Sequence, residues 1–127
     1  MWILVVEDEP AMRDALRQGL EEENHTVTVA ADGVEGMHAA ETLNLDAILL
    51  DVMMPGMSGI DLVRRLLIEI EPALKKKAGA GFAAAMLYFG MINWTHTWFD
   101  AKGAISAAAL ADMVVDLTLG GLAKTID

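Results

Sequence analysis

The chain has 127 residues, 54% hydrophobic and 22% charged, with a net charge of −10 and no cysteine. That length suits one domain or two halves sharing a core, and that apolar content excludes a disordered chain. The missing cysteines exclude disulfides and cysteine-based zinc sites, and no basic segment precedes Trp2–Val6, so a cytoplasmic setting without a secretory signal is expected.

Trp2–Val6 is continuously apolar and β-rich, as a strand buried on both faces should be. Glu9-Pro10 opens a helix, with proline at the first turn, where its missing N–H costs nothing. Met12, Leu16 and Leu20 recur at helical spacing, and Glu21-Glu22-Glu23-Asn24 closes that helix. Thr26–Ala30 alternates Thr and Val and reads as a second strand. Asp32-Gly33 turns into a helix over residues 33–43, and residues 47–51 form a third strand. Ser58 is the expected N-cap of a third helix, whose apolar positions are Ile60, Leu62, Val63, Leu66 and Leu67.

Pro72 and Lys75-Lys76-Lys77 then mark a boundary. Residues 1–71 carry 4 Lys/Arg and 15 Asp/Glu, a balance of −11; residues 72–127 carry 5 and 4, a balance of +1. Such asymmetry suggests two sequence origins. The acidic half disfavours nucleic acid, and the three lysines read as a solvated junction. No strand is expected beyond the boundary. Residues 78–99 read as one long helix rich in Ala, Met and aromatics. Phe82, Met86 and Phe89 mark one face; Leu87, Met91, Trp94 and Trp98 mark another. The stretch is uncharged and long enough for a bilayer, but its Ala and Gly content and Asn93, Thr95, His96 and Thr97 argue against a membrane span. Ser106 is the N-cap of a last helix with Leu110, Val114 and Leu117 as its stripe, and Gly120-Gly121 is expected to end it.

In a parallel α/β sheet, ligands sit beyond the carboxyl ends of the strands. Glu7 and Asp8 end the first strand and Asp51 ends the third. Carboxylates converging there repel one another unless a cation intervenes, and Mg²⁺, a hard ion that prefers oxygen, suits them. His25, His38 and His96 have no ligand spacing, and no nucleophile–base pair beyond Asp51 points to a turnover enzyme.

Over about residues 3–67 these features resemble the response-regulator receiver domain: the acidic pair, Asp51-Val52-Met53-Met54-Pro55-Gly56 and Gly59 occur in the family's order. The resemblance implies that Asp51 is the phospho-acceptor. It implies that Asp8 is a direct Mg²⁺ ligand, that Glu7 acts mainly through water and that the backbone carbonyl of Met53 completes the metal site. It implies a histidine kinase or small phosphodonor as partner. The family's Ser/Thr after a fourth strand and Lys after a fifth have no positional match.

Leu87-Tyr88-Phe89-Gly90-Met91-Ile92-Asn93-Trp94, then Trp98-Phe99, Gly103, Ile105-Ser106, Leu110-Ala111 and Gly121-Leu122 resemble the C-terminal end of TetR-family regulators over about residues 80–122. That resemblance implies a helix pair that dimerises; the family's DNA-binding helix-turn-helix has no counterpart.

The expected fold is α/β: half of a flavodoxin-like (βα)₃ parallel sheet in the order 2-1-3, over residues 1–71, followed by two long helices over 72–127 that form a dimeric bundle. The expected function is that of a receiver-derived signalling chimera that homodimerises, keeping its acceptor and metal acids without the switch Thr/Lys. The alternatives are a purely structural, self-associating protein, and more weakly a small-molecule pocket among Phe82, Met86, Trp94 and Trp98.

Overall fold

A computed structural model describes residues 1–100 and 102–124, apart from the side chains of residues 93, 94, 96 and 122–124. Its elements run β1 (Trp2–Val6), α1 (Pro10–Glu22), β2 (Thr26–Ala30), α2 (Gly33–Thr42), β3 (Ala47–Leu50), α3 (Gly59–Ile70), a 3₁₀ turn (Pro72–Lys76), α4 (Ala80–Trp98) and α5 (Ala107–Lys124). The chain divides into two compact units, Met1–Val63 and Arg64–Asp127.

In the first unit the sheet order is β2-β1-β3 and both pairings are parallel, as expected. The strands align as Val6↔Ala30 and Val6↔Leu50, so Leu4, Val6, Thr28, Ala30, Ile48 and Leu50 share one face. Ile3, Val5, Val27, Val29 and Leu49 share the other. Right-handed crossovers from β1 out to β2, and from β2 back across to β3, put α1 and α2 on opposite faces. Gly36 of α2 lies directly against Val6 and Leu62, so α3 joins α2 on the Val6 face. There Leu4, Val6, Met37 and Leu62 form the core.

The α1 face is thinly covered. One helix about 10 Å across spans two strands at best. None of the α1 residues is buried, and Met12 is exposed although it sits on the expected stripe. Val29 and Leu49, on the flanks of this face, remain 38% and 43% exposed. β3 is an edge strand, and on the opposite face its Ile48 is 36% exposed.

Helix starts follow the capping chemistry. Glu9 accepts from the N–H groups of Ala11 (3.1 Å) and Met12 (2.6 Å), with Pro10 as the first helical residue. Asp32 accepts from Glu35 N–H at 2.8 Å, and Glu35 reaches back to Ala31 N–H at 2.9 Å. Ser58 Oγ accepts from Asp61 N–H and Ser106 Oγ from Ala109 N–H, each at 3.1 Å.

In the second unit Glu71 caps the 3₁₀ turn through Ala73 N–H, and Leu74 of that turn is buried with Ala80 and Ala85 of α4. Gly81 brings α4 close to Ile68 and Arg64 of α3. Phe82, Met86, Leu87 and Trp98 of α4, and Met113, Val115, Leu117 and Leu119 of α5, are exposed. The side chain of Trp94 lies outside the described residues. Among the described residues there is no strand after β3, and no helix is long and apolar enough to cross a membrane.

One expected boundary is overturned. Gly120-Gly121 does not end α5, which continues to Lys124. A glycine ends a helix by entering the left-handed region. Among the described residues the positive-φ glycines are Gly56 and Gly79, so Gly120 and Gly121 stay within the helix at a cost of about 1 kcal/mol each.

Leu62 is fully buried where α2, α3 and β1 meet. Leu62→Ala should lower the free energy of unfolding by about 2–5 kcal/mol in urea denaturation; a change below about 1 kcal/mol would contradict this packing.

Candidate functional site at the ends of β1 and β3

The two ladders of β1 run one residue past the strands. Glu7 N–H donates to Ala30 O at 3.1 Å and Asp51 N–H donates to Val6 O at 3.0 Å. These bonds fix Glu7 and Asp51 side by side at the carboxyl end of the sheet, with Asp8 following Glu7. One carboxylate oxygen from each of Glu7, Asp8 and Asp51 lies within 4.8 Å of the others, and all three residues are half-buried. Fully solvated, a pair of charges at that range repels by about 1 kcal/mol, and more strongly as water is excluded.

The backbone also orients the acids. Glu7 Oε1 accepts from Glu9 N–H and Asp51 Oδ1 accepts from Met53 N–H, both at 3.0 Å. The Met53 side chain is 83% exposed, so at this site Met53 acts through its backbone.

The donor set fits Mg²⁺. An octahedral ion with bonds of 2.0–2.1 Å puts adjacent ligand oxygens about 2.9 Å apart and opposite ones about 4.2 Å apart. A trio within 4.8 Å is near that size, with a water able to bridge the most distant member.

The loop after Asp51 is built on two glycines. Gly56 has φ of +75°, a region other residues resist. A Cβ on Gly59 would lie 2.4 Å from Asp51 O and 2.8 Å from Val52 Cα, so the start of α3 packs directly on the backbone of Asp51 and Val52.

Two neighbours of the site escaped the sequence reading. Glu9, expected with Pro10 to open a helix, does cap α1, and beyond that its N–H donates to the Glu7 carboxylate. Arg13 Nη1 donates to the carbonyls of Glu7 (3.0 Å) and Asp8 (3.4 Å). Its sole sequence signal was a cation one turn into the helix that follows the acidic pair. Residues 1–63, the unit that carries the acids, contain no lysine. Its Thr28 Oγ1 accepts from the Trp2 indole and its Thr42 hydroxyl bonds His38 O.

In the second unit an open groove of about 580 Å³ runs between α4 and α5, lined by Ala83, Leu87, Tyr88, Met91 and Leu117 among others. Phe82, Met86 and Trp98 do not line it.

Residues 3–75 match the model of the response regulator receiver domain, and residues 62–122 match that of the tetracyclin repressor-like C-terminal domain. The transcriptional regulatory protein TcrA of Mycobacterium tuberculosis is 48% identical over 64 residues, 50% of this chain and 25% of TcrA. The transcriptional activator protein IrlR of Burkholderia pseudomallei is 48% identical over 66 residues, 52% of this chain and 29% of IrlR. The chain therefore spans little more than a quarter of these relatives. Among solved structures, the receiver domain of the Francisella response regulator 1452 superposes with a TM-score of 0.52 at 34% identity, covering 54% of this chain and 56% of its own. The response regulator TrrA of Thermotoga maritima, solved in complex with Mg²⁺-BeF, gives 0.51 at 33% identity, covering 57% and 62%.

Because a Cβ at Gly59 meets backbone atoms, which cannot rotate away, Gly59→Ala should cost about 1–3 kcal/mol of stability. It should also shift the amide resonances of Asp51 and Val52; a spectrum unchanged at those two residues would contradict the close approach.

Proposed function

Since the chain belongs to the response regulator receiver family through residues 3–75, we propose that it is a receiver-derived signalling chimera, not a turnover enzyme, whose Asp51 accepts a phosphoryl group and whose terminal helices make it a homodimer. The observation that carries this reading is the convergence of Glu7, Asp8 and Asp51 at the ends of two adjacent strands.

Asp51 is the nucleophile. One of its carboxylate oxygens bonds to phosphorus while the bond from phosphorus to the donor breaks, and the electron pair leaves with the donor. The donor is acetyl phosphate, with acetate leaving, or a kinase phosphohistidine, with imidazole leaving. Asp8, Asp51 and the Met53 carbonyl would hold Mg²⁺ directly, with Glu7 acting through water. The chemistry the ion supplies when bound is neutralisation of charge on the acids and the phosphoryl oxygens. Met53 N–H holds one Asp51 oxygen, which orients the carboxylate.

Acceptance and signalling are separable here. A lysine facing the phosphoryl group would contribute a charge-assisted contact of roughly 1.5–3 kcal/mol. Residues 1–63 contain no lysine to make that contact from within the acid-bearing unit. The setting in which this chemistry operates is cytoplasmic.

The homodimer rests on a separate observation. α4 and α5 expose Phe82, Leu87 and Trp98 together with Val115, Leu117 and Leu119. These apolar side chains lie on more than one face of each helix, which suits helices that pack against more than one neighbour. Two-fold pairing covers such a surface with itself, and the match to a TetR-type C-terminal domain supports the same use. The lysine-free acid unit also favours a second reading, a self-associating structural protein that ignores phosphodonors.

Incubation with acetyl phosphate and Mg²⁺ should add one phosphoryl group by intact-protein mass spectrometry. Asp51→Asn should abolish that addition; an unmodified wild type would favour the structural reading. Equilibrium sedimentation should give a dimer at micromolar concentration, and a folded monomer there would overturn the helix-pair interface.

A further inference from the structure

We infer that Arg13 is a positioning residue for the cation site: it clamps the backbone of the acid loop so that the Glu7 and Asp8 carboxylates stay aimed at Asp51. The inference deepens the cation-site reading above and rests on it.

Successive carbonyls of an extended strand point in opposite directions. Those of Glu7 and Asp8 both reach Arg13 Nη1, at 3.0 and 3.4 Å, so the chain has left the extended conformation there. Up to Glu7 the loop is held by the ladder bond to Ala30 O. From Glu9 onward it is held by the cap on Ala11 and Met12. Between these anchors Asp8 has no ladder partner, and the guanidinium is the group that spans the gap. Arg13 is itself fixed within α1 by its N–H bond to Glu9 O at 2.9 Å and is half-buried.

The choice of partner is informative. Glu7, Asp8, Glu9 and Asp14 surround Arg13 in sequence, yet it forms no ion pair among the described residues. Its donors go to peptide carbonyls, which leaves the carboxylates free to meet a cation. A guanidinium suits this task because the two hydrogens of Nη1 diverge within a fixed plane, one toward each carbonyl, and the group stays charged. Groups that orient ligands in this way typically change metal affinity 10–100-fold when removed.

The sign of the effect separates a clamp from a charge. A cation near the site repels Mg²⁺, so if charge dominated, neutralising Arg13 would tighten Mg²⁺ binding. If the clamp dominates, the same substitution weakens it. Arg13→Met keeps the aliphatic stem and removes every donor; Arg13→Lys keeps the charge but replaces the fixed planar group with a compact ammonium whose donors rotate.

Isothermal titration with Mg²⁺ on the full chain should show Arg13→Met weaker than wild type by roughly 10-fold or more, with Arg13→Lys in between. Amide hydrogen exchange without the ion should quicken at Glu9, whose N–H rests on the Glu7 carboxylate, and hold steady in β2. Affinity that is unchanged or tighter in Arg13→Met overturns the inference. Should that variant not fold, Arg13→Lys decides: weaker binding supports the clamp and wild-type affinity overturns it. Should wild type bind no Mg²⁺, the cation-site reading fails, and Glu9 exchange alone decides for or against Arg13.

Discussion

The bond from Asp51 N–H to the Val6 carbonyl is the constraint on which the site depends. It is the last rung of a parallel ladder between strands far apart in sequence, and it brings Asp51 beside Glu7 and Asp8. Each acid alone is an ordinary loop carboxylate. Three held within 4.8 Å by a ladder, a cap and a loop hydrogen bond form a prearranged cluster of oxygen donors. The repulsion among them is met from the β-ladders and from the core around Leu4, Val6 and Leu62, where burial is complete. Stability in the sheet thus sustains electrostatic tension at its end.

The same sheet is unfinished. Three strands leave β3 as an edge, and α1 alone covers one face. The exposed Val29, Ile48 and Leu49 are the physical trace of that incompleteness. Edge strands of this kind, carrying no internal lysine or proline, are prone to pair with other chains. The second unit shows a comparable surplus, since α4 and α5 are apolar on more faces than they bury.

Most of the fold was legible from periodicity. Alternating Thr and Val gave β2, the unbroken apolar run gave β1, and Pro10, Ser58 and Ser106 marked helix starts that capping bonds then bear out. Glu7, Asp8 and Asp51 were legible because strand ends in a parallel sheet share one edge. Three things were not. Gly120-Gly121 looked like a stop signal, but glycine permits termination without requiring it, and α5 runs on. Met12 sat on a helical stripe, yet a stripe says which face an element offers, not whether anything covers it. Arg13 was invisible because its partners are carbonyl oxygens, which every residue has; the path of the loop decides which carbonyls it meets.

If the three acids share one cation site, a paramagnetic hard ion should report on all of them together. Mn²⁺, also a hard ion suited to carboxylates, broadens the amide signals of nuclei near it. At sub-stoichiometric Mn²⁺, broadening should centre on residues 7–9 and 51–53 and fade with distance from the ends of β1 and β3. Broadening spread evenly over other acidic stretches, such as Glu21-Glu22-Glu23, would mean that the acids act as separate surface charges and would contradict the account.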